Sequence, residues 1–409
     1  GICRFWDGLT LSLRLILFYI CSYRYDMPLR MESGKDRQSF EGLTLRGRGA
    51  GSNASGRFER HRRSVMDDGW NSLALHPDRK PTTTHIERPK AIITRNQSPD
   101  VPFEHSVNAY RGCEHGCIYC FARPSHAYMG LSAGQDFETE IFIKPNAAAL
   151  LEAEITRPGY TPRSIAMGTN TDPYQPIEKT QQLTRSVLEV LLKHRHPVSI
   201  TTKSDRILKD LDILAALDKH KLVHVMLSVT TLQHQLCRRM EPRAASPAQR
   251  LRAIGALSAA GIPTGVMVAP VIPGLTDHEL DWILAAAKDA GAGSAAWIML
   301  RLPGEVAPLF EQWLSTHYPD RKGKILNALR DMRGGKLNDP RFGARMRGRG
   351  AWAHMIKQRF LKAARRHGLT TTAAAHAAPD MAMFEIPKHP PQTAKKHMDT
   401  PVEQQLSLF

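Results

Sequence analysis

Three cysteines fall within eight residues of one another. The segment reads Asn108-Ala-Tyr-Arg-Gly-Cys113-Glu-His-Gly-Cys117-Ile-Tyr-Cys120, a C-x3-C-x2-C spacing. Thiolates are soft ligands that suit iron–sulfur clusters or zinc. Three of them on one loop can face a single cuboidal cluster, ligating three irons and leaving the fourth without a protein ligand. An open iron can take part in substrate chemistry, whereas a cluster closed by four cysteines stores or transfers electrons. Zinc is the competing reading. A structural zinc site wants four ligands, usually with a second pair downstream. Neither His115 nor the remote Cys237 completes such a pair. Six cysteines in 409 residues do not form a disulfide framework.

The elements that must position this loop are legible as an alternation. Candidate strands are Val107–Tyr110, Ser164–Met167, Val198–Thr201, Val223–Val229, Thr264–Ala269 and Ala295–Leu300. Between them run amphipathic patterns such as Leu183, Val187, Leu188 and Leu191, then Ile207, Leu211 and Leu214, at helical spacing. Strand–helix alternation predicts parallel strands joined by crossover helices. The expected fold is therefore α/β: a partial (β/α)6 barrel over residues 101–305, with chemistry at the carboxyl ends of its strands.

The motif C-x3-C-x-aromatic-C, with Tyr119 as the aromatic, resembles the signature of the radical S-adenosylmethionine (SAM) superfamily. Further stretches resemble its spore photoproduct lyase-like or "DNA repair photolyase" branch. They are Gly168-Thr-Asn-Thr-Asp-Pro-Tyr-Gln-Pro-Ile-Glu178, Thr201-Thr-Lys-Ser204, Ser228-Val-Thr-Thr231, Glu241-Pro-Arg243 and Ala269-Pro-Val-Ile-Pro-Gly274. Gly47-Arg-Gly-Ala-Gly-Ser-Asn53 is similar to an uncharacterised bacterial subgroup of that branch. The resemblance implies a [4Fe–4S] cluster on Cys113, Cys117 and Cys120, whose open iron chelates SAM. Reductive cleavage of SAM then gives a 5′-deoxyadenosyl radical. It also implies a SAM cradle of Tyr119, Gly168, Thr169, Lys203 and Ser228, and an external electron donor. Lys203 reads equally as a solvated strand-end charge, and Ser228 as a cap. Spore photoproduct lyases use a cysteine outside the cluster to return hydrogen to product. The one candidate inside the core is Cys237, which also reads as an ordinary packed thiol. Thymine-dimer repair is therefore not implied, and the substrate stays open.

The charge is +17, and fifteen Lys/Arg against Asp331 and Asp339 lie between Arg321 and Gly368. Such clustering points to a polyanion partner. Residues 306–368 are expected to form a basic helical extension in which Trp352, Met355, Ile356 and Phe360 make one apolar stripe. Residues 32–100 read as a basic irregular arm or linker. Residues 369–409 read as a disordered tail ending in Gln405, Leu406, Leu408 and Phe409, which resembles the peptide that binds the replication sliding clamp. Leu9–Cys21 is too short for a membrane span, so residues 1–31 are read as a mis-called extension and the protein as cytoplasmic. The leading function is a radical SAM enzyme acting on DNA, by lesion repair or base modification. The alternatives are one acting on RNA or protein, and a non-enzymatic metal-stabilised module that binds nucleic acid or the clamp.

Overall fold

Six short apolar runs become six adjacent parallel strands. The computed structural model describes residues 47–59, 80–371 and 383–385. All of them lie within one compact unit, Gly42–Phe409. The expectations for residues 1–31, for residues 372–382 and 386–409 of the tail and for the clamp-type peptide at Gln405–Phe409 lie outside the described residues, whereas Leu369 is buried, Thr370 bridges to Ser294 and Glu385 accepts from Arg195.

In chain order the strands are β1 (Thr83–Ile86), β2 (Ile93–Arg95), β3 (His105–Val107), β4 (Tyr110–Arg111), β5 (Glu140–Ile143), β6 (Ile165–Met167), β7 (Val198–Thr202), β8 (Val223–Ser228), β9 (Thr264–Val271) and β10 (Ser294–Met299). The main sheet has the order β10-β9-β8-β7-β6-β3-β2. Its pairs from β3 to β10 are all parallel, and β2 is antiparallel at the edge. The strand order leaves the sheet open between β10 and β2 among the described residues.

Each crossover carries a helix, because parallel neighbours need a long connection. The helices Leu183–Lys193, Leu211–Asp218, Pro247–Ala259 and Leu280–Asp289 connect β6 through β10 in turn. Each turns its apolar stripe inward: Val187, Leu188 and Leu191; Leu214 and Leu217; Ile254 and Leu257; Ile283 and Leu284. All six residues of β8 are buried, as expected for a central strand covered on both faces.

The candidate strand Val107–Tyr110 is two strands in two sheets. β3 ends at Val107, while β4 leaves to pair antiparallel with β5 in a small sheet of order β1-β5-β4. Between them, Asn108 turns its side chain to the loop after β6 instead of continuing the strand. Its Oδ1 accepts from the Asn170 and Thr171 amides at 3.1 and 3.3 Å.

The basic extension folds as the helices Val306–His317, Pro319–Met332 and Gly350–Arg366. The last packs on β10 and on Leu280–Asp289 through Ala353, Ile356, Phe360 and Ala363. Met355 is not in that stripe. At about 100° per residue it points away from Ile356 and is 40% exposed. Not all of the positive charge reaches the surface. Arg333 is buried and donates to the carbonyls of Met299, Leu300, Ala344 and Arg345. Arg347 stacks over Trp297, with its Cζ 4.5 Å from the ring centroid. Lys357, Arg359, Lys362, Arg365 and Arg366 do line the exposed face. No helix among the described residues is long and apolar enough to cross a membrane.

Candidate active site

The cysteine loop is held by its backbone, which frees its side chains. Cys113 N–H donates to Phe137 O at 2.9 Å, and Ile118 N–H donates to Met240 O at 3.0 Å. The buried Arg123 donates to Cys117 O at 2.9 Å and Gly116 O at 3.1 Å. It also reaches Ala133 O and Gly134 O, and ion-pairs with the buried Glu138 at 2.5 Å. Glu138 in turn accepts from the amides of Gly49 and Ala50, both at 2.8 Å. Arg48 donates to Glu138 O at 2.8 Å, and Asn53 exchanges hydrogen bonds with Asp136. The Gly47–Asn53 stretch therefore clasps the segment 132–138 that supports the cysteines. Gly116 sits at φ +67°, and a Cβ there would lie 2.6 Å from Glu138 Oε2, so only glycine permits this closeness.

On the other side the loop meets the carboxyl ends of the parallel strands. Asp172, after β6, is the hub. Its Oδ1 accepts from Thr202 Oγ1 at 2.6 Å, and its Oδ2 accepts from Lys203 N–H at 2.8 Å. Its Oδ2 also lies 3.4 Å from His115 Nδ1. Burial would raise the Asp172 pKa, but His115 and these donors outweigh it and hold it down at about 2. Burial would lower the His115 pKa, but Asp172 and the Cys113 sulfur bring it up to about 10. Glu241 is a second hub, fully buried after the helix His234–Met240. It accepts from the Tyr119 phenol, from Thr230 Oγ1 at 3.0 Å and from Arg250. Arg243 of the same Glu-Pro-Arg stretch pairs with Glu114 at 3.0 Å.

Cys113 and Cys117 are buried and Cys120 is half-buried. Burial raises the Cys117 thiol well above its usual value. Lys203 opposes that rise, while Glu241, Cys120 and Cys113 add to it. Burial raises Cys120 as well, and Cys113 adds to it. The three sulfurs thus lie within one another's field. Among the described residues no three His, Cys, Asp or Glu side chains converge as closely as a single ion requires. A cuboidal cluster is larger than an ion and spreads its ligands over several irons. Three cysteines at this spacing could each ligate a separate iron of such a group, while His115, held between Asp172 and Cys113, is engaged by the Asp172 carboxylate.

The other sequence-selected residues fall as follows. Lys203 directly follows β7, with its Nζ 5.9 Å from the Tyr119 ring centroid. Burial alone would lower its pKa, but Cys117 and Glu241 raise it. Ser228 ends β8 and is buried, and its carbonyl accepts from Arg250 at 2.9 Å. Thr169 Oγ1 accepts from Asn108 Nδ2 at 3.1 Å. Gly168 has φ +86°, and a Cβ there would lie 1.9 Å from Thr201 O. It therefore packs β6 against the end of β7, which sequence reasoning missed. Gly168→Ala is expected to destabilise the chain by about 2 kcal/mol or more, through left-handed strain and overpacking. Urea unfolding checks this, and an unchanged midpoint would contradict it. Cys237 is buried in His234–Met240, its sulfur 3.5 Å from Arg250 and 3.6 Å from Glu241. Burial pushes its thiol up to about 12.

Residues 107–287 match the family model of the radical SAM superfamily. That stretch begins at the end of β3, includes the cysteine loop and runs through β9 to the helix after it. An uncharacterised protein of Mycobacterium tuberculosis is 39% identical over 222 residues, covering 54% of this chain and 65% of that protein. An uncharacterised protein of Methanocaldococcus jannaschii is 30% identical over 176 residues, covering 43% of this chain and 63% of its own length. The matches thus span just under two thirds of these relatives. Among solved structures, a spore photoproduct lyase variant superposes with TM-score 0.50 at 16% identity, over 70% of this chain and 81% of that one. A spore photoproduct lyase complexed with dinucleoside spore photoproduct gives TM-score 0.50 at 16% identity, over 70% and 80%. At that identity the likeness is one of fold. It agrees with the parallel sheet, and the cysteine loop lies within the matched residues 107–287.

Proposed function

We propose that this chain is an enzyme that holds a [4Fe–4S] cluster on Cys113, Cys117 and Cys120, cleaves SAM reductively, and acts on DNA. The observation that carries the reading is one tri-cysteine loop lying against the residues that follow β6, β7 and β8: His115 meets Asp172, which accepts from Lys203 N–H, and Tyr119 meets Glu241, which accepts from Thr230. When bound, the cluster and SAM supply a 5′-deoxyadenosyl radical that takes hydrogen from the substrate. The chain's own residues bind and orient. Lys203 gives an ammonium suited to the SAM carboxylate. Thr169 and Ser228 offer hydroxyls, and Gly168 offers backbone free of a side chain. Tyr119, its phenol fixed by Glu241, is assigned the adenine side.

The test is anaerobic purification of the full chain. The expected protein is brown, carries about four irons, and releases 5′-deoxyadenosine when reduced with SAM present. A colourless protein with one zinc and no such release would favour a non-enzymatic module instead.

DNA as the target is supported by the exposed Lys357, Arg359 and Lys362 on the solvent side of the last helix and by the dinucleoside ligand of the solved lyase. Phosphate contacts make affinity fall as salt rises. Lys357→Glu/Arg359→Glu/Lys362→Glu is expected to weaken duplex binding at least about tenfold at moderate salt and to flatten the salt dependence by about three counterions. Fluorescence anisotropy over a salt series measures both. A variant with an unchanged slope would detach this helix from DNA binding, and stronger binding of transfer RNA would turn the target to RNA.

A further inference from the structure

Seven large apolar side chains are exposed among the described residues, and four of them, Phe58, Phe121, Tyr128 and Phe342, each lie against an arginine. Phe121 directly follows Cys120 and is 45% exposed, with the Arg301 guanidinium 4.3 Å from its ring centroid. Phe58 and Tyr128 are 55% and 72% exposed, with ring centroids 5.2 Å apart. Arg57 lies 5.3 and 5.7 Å from those two rings. Phe342 is 59% exposed, 4.9 Å from the Arg345 guanidinium.

These pairs form one strip. The 3-10 helix Arg123–Met129 leads from Phe121 to Tyr128. The chain after β10 leads from Arg301 to Glu305, which pairs with Arg57 at 3.2 Å. The two segments run close together, since a Cβ on Gly304 would lie 3.8 Å from Pro124 and 4.0 Å from Arg57. At the other end, the buried Arg333 donates both to Leu300 O, next to Arg301, and to Arg345 O at 3.2 Å, which sets these two segments side by side. Arg301 makes no ion pair among the described residues, although Arg57 and Arg345 do.

Exposed rings backed by cations suit one class of partner. A base stacks on the open face of the ring, and the arginine attracts the phosphates that join the bases. Bases in a closed duplex are stacked on each other and cannot use such rings. An unpaired strand or an extruded nucleotide can. A protein partner would meet the same rings as an apolar patch, but a row of alternating rings and guanidinium groups in a chain of net charge +17 complements a polyanion.

We propose that this strip binds consecutive unpaired bases of single-stranded DNA and leads one nucleotide past Phe121 to the cysteine loop. The choice of DNA rests on the function proposed above; the preference for an unpaired strand rests on the strip alone. The experiment uses the full-length, cluster-loaded chain and a fluorescent oligothymidylate, compared with the same strand paired to oligoadenylate. The single strand should bind more tightly than the duplex. Tyr128→Ala and Phe342→Ala should each weaken single-strand binding at least about fivefold and leave duplex binding unchanged, whereas Tyr128→Phe should bind as the parent does. Thermal melting of each variant checks the fold, and the two alanine positions lie on separate elements, so one misfolded variant still leaves the other to decide. Equal binding of strand and duplex, or folded alanine variants that bind the single strand as the parent does, would overturn the proposal. Tighter binding of oligouridylate would overturn the choice of DNA. Release of 5′-deoxyadenosine by the parent chain, measured separately, decides the radical chemistry whichever way the binding falls.

Discussion

Cys117→Ala will leave a folded chain that no longer assembles its cluster. The expected result is loss of the brown colour, iron well below the parent's content after reconstitution, and 5′-deoxyadenosine release below detection. Folding should survive for a local reason. What ties Cys117 into the structure is its carbonyl, which accepts from Arg123 at 2.9 Å, and alanine keeps that carbonyl. The side chain removed is small, so the packing loss should stay below about 1.5 kcal/mol. Cys237→Ala is the control. That thiol sits with Arg250 and Glu241, outside the C-x3-C-x2-C loop, so its loss should leave the iron content unchanged. Iron retained in the Cys117 variant, or lost in the Cys237 variant, would mean the ligand set has been misassigned.

Glu138→Gln should produce the largest loss of stability of any single change considered. Glu138 and Arg123 are both fully buried. The carboxylate satisfies Arg123 and the amides of Gly49 and Ala50 together. The amide of glutamine is neutral and turns a donor toward groups that are themselves donors. Arg123 would remain charged without its counter-ion, a change that costs about 3–5 kcal/mol. For a chain of this size that corresponds to a drop in melting temperature of roughly 4–6 °C. Glu138→Gln combined with Arg123→Met should recover part of the loss, because both polar partners then leave together. Melting curves of the parent, the single variants and the double variant measure this. A Glu138→Gln chain that melts with the parent would show that the pair does not anchor the loop.

Much of the parallel sheet was legible in the sequence, because each strand is a short apolar run between helices with one apolar stripe. The candidate Thr264–Ala269 is β9 but for two residues at its end, and Val198–Thr201 is β7 but for one. Strand Thr83–Ile86 escaped notice because its burial is poor and it shows no alternation. The clasp at Gly47–Asn53 was read as an arm or linker because glycine and arginine describe a loop equally well. What fixes it is backbone N–H donation to Glu138, which leaves no mark on residue type. The basic cluster between Arg321 and Gly368 also counted Arg333 as partner-facing charge, although it lies inside and bonds backbone carbonyls. The cysteine spacing was visible, but the hubs that aim the loop were not. Asp172 and Glu241 sat inside matched stretches, yet nothing local distinguished them from a helix start or a turn.

The partners of the cysteine loop come from distant parts of the chain. Arg48 reaches Glu138 across 90 positions, and Tyr119 reaches Glu241 across 122. A ribosome that has just released the three cysteines has not yet made Asp172, Lys203, Glu241 or Arg250. Domains fold as units during synthesis, so the thiols stay unconstrained until more than half the polypeptide has emerged. On the function proposed above, a scaffold that delivers iron and sulfide to the finished protein must reach a loop already closed in by its neighbours.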